Sequence, residues 1–411
     1  MAELSHHEVV VLFLSIGILL LSSRLLAELG RRFSLPVVMG EMIVGILLGP
    51  TVFGFFAPDL FNSLFPSTGP VAISLQAIVR LSVVMLLFVA GMEVQLPVML
   101  RQGRLALSTS LTSMIVPFSL GFWISWHWPE MFLREAHVQP LVFSLFFGTA
   151  LAITALPVIA RILMDLNMYK TKIGMLIMAS AMFNDLVGWL IFSVVLALVE
   201  NKGVGTDLGL TILYILIFGI LMLTIGRKIL NRILPFIQTK FSWPGGVLSI
   251  GLGLCFLAAA FTESIGIHAI LGAFIMGIAL GDSVHLHERA REIIHQFVTN
   301  IFAPLFMVSI GLHVNFIEHF DLSLIAIVLL LACVGKIVGA SAGAYAGGLN
   351  LREATAVGMG MNARGAMEII LGTLAFRAGI IQVELFVALV VMALVTSLAS
   401  GPAIKRILSR S

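Results

Sequence analysis

Long apolar runs follow one another along nearly the whole chain, with short polar connections between them. A membrane-spanning helix needs roughly 20 mostly apolar residues, and the runs reach that length. The pattern predicts an all-α, polytopic membrane protein with about thirteen transmembrane helices. The predicted spans are 8–27, 36–55, 71–93, 104–126, 140–163, 174–198, 208–226, 246–262, 265–281, 293–312, 322–349, 354–376 and 383–403.

The composition supports a membrane protein, and the motifs and the distribution of charge argue against several classes of function. Hydrophobic residues make up 59% and charged residues 11% of the 411 residues, and the mean hydropathy is +1.09, unlike an ordinary soluble domain. The short connections predict one transmembrane domain over residues 1–411, without a soluble regulatory domain. Neither a nucleophile–base pair nor an HExxH motif appears, and the basic residues are spread over many loops. We therefore expect no enzyme activity, no cofactor and no nucleic-acid partner.

The basic residues predict the orientation of the chain in the membrane. With the N-terminus outside, eighteen of the 24 lysines and arginines fall on the cytoplasmic side, and three (Arg134, Lys202 and Arg377) fall outside. The positive-inside rule therefore favours an outside N-terminus and a cytoplasmic C-terminus. The other three basic residues lie within predicted spans.

Two segments 232 residues apart indicate an internal repeat. MGEMIVGILLGP, from Met39, and LGAFIMGIALGD, from Leu271, are identical at six of twelve positions, three of them glycines. Glycine-rich membrane helices can resemble each other by chance, but these two are seven spans apart, so true repeats must insert with opposite orientation. We predict repeat one at about 8–198, a linker helix at about 208–226 and repeat two at about 246–403. Such inverted repeats are typical of secondary transporters with a binding site at the membrane midplane.

A carboxylate lies near the centre of the sixth predicted span, in MFNDLVGW, which contains Asn184 and Asp185. A charged side chain in hydrocarbon costs at least about 2.5–3.5 kcal/mol and points to function. A proton and a bound cation are competing ways to neutralise it, so we predict a Na⁺ or K⁺ site at Asp185. The alternative is a structural aspartate permanently paired with a basic residue. Asn184 either supplies a carbonyl ligand or hydrogen-bonds a neighbouring helix.

Two spans in equivalent positions of the two halves contain helix-breaking residues. The fifth, with ALAITALPVIARIL, carries Thr154 and Pro157; the proline removes a backbone donor, which would free nearby carbonyls for a cation. The twelfth, with GMGMNARGAMEII, carries Gly360 and Gly365, which weaken the helix. A simple kink would explain the proline alone, but a matched pair of interrupted helices indicates a transport site.

Further charges lie within the predicted spans. Lys336, in the eleventh span, needs a buried anion or must lose its proton. Arg364 and Glu368, four residues apart, can pair along one helix face, either for structural neutralisation or for transport. The segment HLHERAREIIH, from His285 to His295, permits a metal or pH-sensing interpretation, but an amphipathic interfacial helix is favoured.

Taken together, the thirteen spans and these motifs resemble the monovalent cation:proton antiporter family over nearly the whole chain. The similarity rests on Asn184 and Asp185 at the paired ion-site positions, the break at Thr154, Lys336, and the NARG stretch ending in Glu368. It implies cation/proton exchange driven by the proton gradient, with Asp185, Asn184 and Thr154 binding the ion. Lys336, Arg364 and Glu368 would compensate charge or stabilise the core.

The resemblance also implies the sodium/proton antiporter fold, in which two discontinuous helices cross within a six-helix core. This core would move like an elevator against a dimerisation domain. A homodimer in contact with membrane lipids, in a bacterial inner membrane and serving pH homeostasis, is the corresponding expectation.

One departure from the family pattern concerns stoichiometry. Electrogenic relatives carry two adjacent aspartates, whereas Asn184 replaces the first here, which favours electroneutral exchange. Electroneutral relatives usually have arginine at the position of Lys336, so the stoichiometry stays open. Potassium-efflux relatives commonly have Gln-Asp at the site and a cytoplasmic nucleotide-binding domain. The sequence has neither feature, which favours Na⁺ over K⁺; Li⁺ stays open as an alternative.

Two other classes remain as alternatives. A potassium-efflux or other ion channel would usually show a repeated filter sequence or rings of pore-lining residues. A Na⁺-coupled solute symporter would offer more polar groups at the midplane. Single-channel conductance or solute-stimulated Na⁺ uptake would support these alternatives.

Overall fold

A computed structural model describes residues 4–31, 37–94, 103–166, 168–169, 171–200, 208–241, 244–283 and 285–409. Helices dominate this part of the chain, which contains one isolated antiparallel bridge, between Arg134 and Ile381. The α-helices are α1 (His6–Arg31), α2 (Val37–Leu48), α3 (Phe53–Phe56), α4 (Pro58–Leu64), α5 (Pro70–Glu93), α6 (Gly103–His127), α7 (Pro140–Ala152), α8 (Leu156–Asp165), α9 (Lys172–Glu200), α10 (Leu208–Leu221), α11 (Arg227–Lys240), α12 (Gly245–Ser264), α13 (Ala269–Gly281), α14 (Glu288–Phe297), α15 (Ala303–Leu312), α16 (Leu322–Ala346), α17 (Leu351–Met361), α18 (Ala366–Arg377) and α19 (Val383–Ser409).

The predicted all-α membrane fold is confirmed. Among the described residues, nine helices are long and apolar enough to cross a membrane, and three shorter apolar helices accompany them. The predicted fifth span is divided into α7 and α8, and the twelfth into α17 and α18.

Two helices are longer than the apolar runs suggested. The predicted linker helix, 208–226, continues through a π-helical turn, Met222–Gly226, to Lys240. The predicted tenth span begins earlier, at Glu288, and passes through a second π-helical turn, Val298–Phe302. Hydropathy measures apolar length only, so an amphipathic extension of a helix is missed. The favoured amphipathic helix of the histidine-rich segment is therefore continuous with a span.

The chain divides into two compact units, each assembled from both predicted halves. The first consists of Met1–Glu93, Phe218–Ile265 and Ala269–His319, and the second of Val94–Ile217, Gly266–His268 and Phe320–Ser411. Helices α1–α5 and α11–α15 belong to the first unit, and α6–α9 and α16–α19 to the second.

Two matched glycines of the predicted repeat lie at close contacts between helices of the first unit. A methyl group on Gly45 of α2 would lie 3.1 Å from the Cα atom of Gly311 in α15. A methyl group on Gly277 of α13 would likewise lie 3.1 Å from the Cα atom of Gly91 in α5. Glycine lets two helix backbones approach this closely, so each of the two matched glycines permits a close helix contact.

In the second unit, α6 and α16 pack against each other and against several further helices. Helix α6 packs against α7, α9 and α16, and α16 packs against α17, α19 and α6. Helix α16 also packs against α7.

The contact between α6 and α16 is close because α16 presents small residues to α6. A Cβ atom on Gly335 would lie 3.0 Å from the Cα atom of Pro117, and Ser108 Oγ donates to the Gly343 carbonyl at 3.0 Å. This approach brings Lys336, the residue after Gly335, next to α6.

Candidate functional site

Two helix interruptions meet in the second unit: the first interruption separates α7 from α8, and the second separates α17 from α18. Helix α7 ends at Ala152 and α8 begins at Leu156, whereas α17 ends at Met361 and α18 begins at Ala366. The Ala155 amide donates to the Ala363 carbonyl at 3.1 Å, and Thr154 Oγ1 donates to the Met361 carbonyl at 3.0 Å. Helix ends leave backbone groups without partners, and here each interruption supplies partners to the other.

The predicted helix-breaking residues lie beside these interruptions. Pro157 is the second residue of α8, where its missing amide hydrogen costs little, and the helix is broken on its N-terminal side as proline requires. Gly360 lies in the last turn of α17, and Gly365 directly precedes α18. A Cβ atom on Gly365 would lie 2.6 Å from Val158 Cγ2, so a small residue is needed where the second interruption meets α8.

Two cationic side chains cap the broken end of α7. Arg364 Nη1 donates to the Ala150 carbonyl at 2.7 Å, and Nη2 donates to the Leu151 carbonyl at 2.6 Å. Lys336 Nζ donates to the Ala152 carbonyl. The C-terminal end of a helix attracts positive charge and leaves carbonyls to be satisfied, so these three carbonyls already have donors and face cationic side chains.

Arg364 and Glu368 form a buried ion pair. The distance from Arg364 Nη1 to Glu368 Oε1 is 2.9 Å, and the two side chains are 0% and 1% exposed. Both residues precede or begin α18, so the pair joins the second interruption to the end of α7. This geometry fits charge neutralisation within the core.

Asn184 links α9 to Lys336 and to α6. In the amide orientation that satisfies all partners, Asn184 Oδ1 accepts from Lys336 Nζ at 2.9 Å and from Ser113 Oγ at 3.0 Å. Its Nδ2 donates to the Ser110 carbonyl at 3.2 Å. Asn184 therefore hydrogen-bonds a neighbouring helix and also offers a carbonyl oxygen to a cationic group.

Asp185 lies beside this network on α9 and is 3% exposed. Its charge acts on Lys336, as do those of Arg364 and Glu368. A Cβ atom on Gly188, three residues along, would lie 2.6 Å from Ile153 Cγ1, so α9 is in close contact with the first interruption. The structure thus brings the predicted site residues into the second unit.

The histidine-rich segment belongs to the first unit. His295 Nε2 lies 3.2 Å from Glu93 Oε1. No cluster of three or more His, Cys, Asp or Glu side chains suited to a metal ion occurs among the described residues. Cys255 and Cys333 are both free thiols, and Cys333 Sγ accepts from Asn362 Nδ2 at 3.4 Å.

Sequence reasoning missed the hydroxyl groups of α6. Ser110 and Ser113 are 3% and 0% exposed and contact Asn184. The signal was the run STSLTS at 108–113, an unusual density of hydroxyl groups within an apolar span. Without the neighbouring helix, nothing distinguished these residues from serines and threonines that bond to their own helix.

Comparison with known proteins places the chain among ion exchangers. The sodium/hydrogen exchanger transmembrane family profile matches residues 16–410. The Na⁺/H⁺ antiporter NhaS4 of Synechocystis is 31% identical over 389 residues, covering 94% of each chain. The Na⁺/H⁺-K⁺ antiporter GerN of Bacillus cereus is 27% identical and covers 96% of this chain and 95% of its own. The K⁺/H⁺ antiporter 1 of Saccharomyces cerevisiae is 31% identical, but the match spans only 43% of that protein.

A solved structure agrees in fold. The sodium proton antiporter MjNhaP1 of Methanocaldococcus jannaschii superimposes with a TM-score of 0.66 and 16% identity, covering 98% of this chain and 99% of the other. At that identity the similarity concerns the fold. The family match, the antiporter relatives and the shared fold show that this multi-pass membrane protein belongs to the sodium/hydrogen exchanger family of cation/H⁺ antiporters.

Proposed function

We propose that this protein exchanges a monovalent cation for H⁺ across the membrane, with Asp185 as the group that carries both. One observation supports this assignment above all. Asp185 is a buried carboxylate next to Asn184, on a helix in contact with one of two interruptions that are hydrogen-bonded to each other. Interrupted helices that meet in this way are typical of ion sites in secondary transporters.

Exchange of a proton for a cation follows from the free-energy cost of burying a charged carboxylate. A carboxylate removed from water must be neutralised by a proton, a bound cation or a basic side chain. Protonation and cation binding at Asp185 exclude each other, so one ion leaves when the other arrives. Thr154, hydrogen-bonded to the other interruption, and Asn184 are the proposed neighbouring ligands.

Lys336 supplies the positive charge when Asp185 holds neither ion. Its ammonium group bonds to Asn184 and to the end of α7 and remains within electrostatic reach of Asp185. With one carboxylate at the paired position, we propose one cation per proton, which is electroneutral exchange. We favour Na⁺, which stands in the names of both reported relatives that match along nearly their full length. K⁺ remains the second candidate, since one relative is named a Na⁺/H⁺-K⁺ antiporter.

The proposal also covers the transport movement, the oligomeric state, the membrane and the orientation of the chain in it. Two compact units, one with both interruptions, suit alternating access in which the second unit moves like an elevator. We propose a lipid-embedded homodimer in a bacterial inner membrane, with its N-terminus outside, serving pH homeostasis. The orientation is supported by the eighteen-to-three distribution of basic residues.

Exchange in everted vesicles tests the role of Asp185. Adding Na⁺ or K⁺ should dissipate an imposed pH gradient with the wild type, and Asp185→Asn should reduce the rate to background. Asp321→Asn is the matched control, because Asp321 caps α16 outside the spans and asparagine also caps helices. Sustained exchange by Asp185→Asn would contradict the assignment.

Stoichiometry and ion choice need purified protein in liposomes. If exchange is electroneutral, an imposed membrane potential leaves the initial rate of Na⁺-driven proton movement unchanged. A rate that follows the potential would overturn the one-for-one proposal. A panel of Na⁺, K⁺ and Li⁺ at several pH values identifies the cation.

A further inference from the structure

We infer that Glu41 is a further proton-binding site of this protein: its carboxyl group holds one proton within the first unit and takes no part in the exchange at Asp185. Glu41 and Asp185 belong to different units, so the two assignments can be tested separately.

Glu41 is a buried acidic residue in a predicted membrane span. It lies in α2 and is 3% exposed. Among the residues that the structure describes, Glu41 forms no ion pair, and its Oε2 atom has no hydrogen-bond partner. An ionised carboxylate without such partners is far more costly to bury than a neutral carboxylic acid. The carboxyl group therefore needs a bound proton or another cation.

Arg24 of α1 is the charged side chain that acts on Glu41, but it contacts other groups. Arg24 Nη2 lies 3.8 Å from Glu28 Oε2, and Nη1 donates to Asn300 Oδ1 at 3.5 Å. The Arg24 side chain is also 59% exposed, so solvent screens its charge. Arg24 thus lowers the cost of ionising Glu41 without neutralising it.

Close helix contacts hold Glu41 in its buried position. A Cβ atom on Gly40 would lie 2.8 Å from the Cα atom of Ala27 in α1, and one on Gly45 would lie 3.1 Å from the Cα atom of Gly311 in α15. Backbone contacts therefore fix α2 both before and after Glu41. The helix cannot turn the carboxyl group outward without separating from α1 and α15.

A proton suits this position better than a metal cation. A dehydrated cation needs several oxygen ligands in place of its water. Helix α2 is continuous from Val37 to Leu48, so the carbonyl groups around Glu41 are used within the helix, unlike those beside the interruptions. Val44, on the next turn, belongs to an apolar cluster with Leu305 and Val308 of α15.

The bound proton makes the stability of the first unit depend on pH. Helices α1, α3 and α15 pack against α2. Helices α3 and α15 contain no titratable residue, and Arg24 is the group of α1 whose charge acts on Glu41. Above about pH 4.3, glutamate loses its proton in the unfolded chain, whereas Glu41 keeps its proton in the folded protein. Rising pH therefore favours unfolding.

Thermal melts of the purified protein in detergent between pH 5 and 8 provide the first test. The melting temperature of the wild type, relative to that of Glu41→Gln, should fall by at least about 2 °C over this range. Glu28→Gln is the matched control, because Glu28 is an exposed acid beside Arg24, and its difference from the wild type should stay nearly constant. A constant difference for Glu41→Gln would overturn the inference.

Infrared spectroscopy at pH 7 detects the proton directly. Glu41→Gln should remove intensity from the C=O stretching band of protonated carboxyl groups, whereas Glu28→Gln should leave this band unchanged. An unchanged band in Glu41→Gln would contradict the assignment. If Glu41→Gln does not fold, Glu41→Met replaces it in both measurements, because methionine is unbranched and adapts to its surroundings. The same results then support or overturn the inference.

Exchange in everted vesicles separates Glu41 from the transport site. Glu41→Gln should exchange Na⁺ for H⁺ at a rate within about twofold of the wild type. A folded Glu41→Gln protein without exchange would put Glu41 on the path of the transported proton and overturn the inference. Exchange that survives Asp185→Asn removes only the role of Asp185.

Discussion

Replacing Glu368 by glutamine measures how strongly the buried ion pair holds the second interruption. Glu368 is 1% exposed, and Oε1 accepts from Arg364 Nη1 at 2.9 Å. Oε2 has no hydrogen-bond partner among the described residues, so the new amide nitrogen can take its place without breaking a contact. The substitution therefore removes the charge and nearly preserves the shape.

The expected cost follows from what remains around Arg364. Its guanidinium group keeps the Ala150 and Leu151 carbonyls, at 2.7 and 2.6 Å, but loses its paired anion. Removing one partner of a buried ion pair typically costs about 3–5 kcal/mol. Because two carbonyl bonds and an amide oxygen remain, we expect about 3 kcal/mol, at the lower end of that range.

Reversible unfolding in mixed detergent, followed by tryptophan fluorescence, provides the assay. Glu353→Gln is the matched control, because Glu353 lies in the exposed capping box of α17 and glutamine also serves at that position. It should change the unfolding free energy by less than about 0.5 kcal/mol. A loss below about 1 kcal/mol for Glu368→Gln would mean that the pair behaves as a surface salt bridge, and would refute the reasoning.

Two further predictions concern the helix contacts and a helix cap. Gly277→Ala should lower the melting temperature, because its methyl group would meet the α5 backbone, whereas Gly253→Ala, with open space around it, should not. Hydrogen bonds from the Ser323 side chain and the Leu324 amide lower the pKa of Asp321 from 3.8. The stabilisation is therefore present above pH 3.8 and is lost as the pH falls through the lower folded-state pKa. Asp321→Asn should remove this acid-dependent loss from thermal melts recorded between pH 2 and 5; an unchanged loss would contradict it.

Much of the architecture could be predicted because the length of each apolar run can be counted directly from the sequence. A span needs a sufficient apolar length, and a charge within it stands out. Asp185, Lys336, Arg364 and Glu368 were therefore visible as candidates, and the helix-breaking residues located both interruptions to within a few residues. The matched glycines predict a repeat, which stays a prediction; in the structure, Gly45 and Gly277 each lie at a close helix contact.

Helix lengths were predicted less well for a definite reason. The extension of the linker helix to Lys240 and the early start at Glu288 lie in amphipathic segments. Such segments form helices by burying one face, so their ends depend on the neighbouring helices.

The partners of the buried groups were decided by the tertiary structure alone. Sequence showed that Arg364 and Glu368 could pair along one helix, since they are four residues apart. It did not show that Arg364 also binds carbonyls of α7, 213 and 214 residues away, or that Ser113 contacts Asn184, 71 residues away. A buried polar group must find a partner, and which one it finds depends on which helices pack together. Sequence thus determined which residues need neutralising, and packing determined what neutralises them.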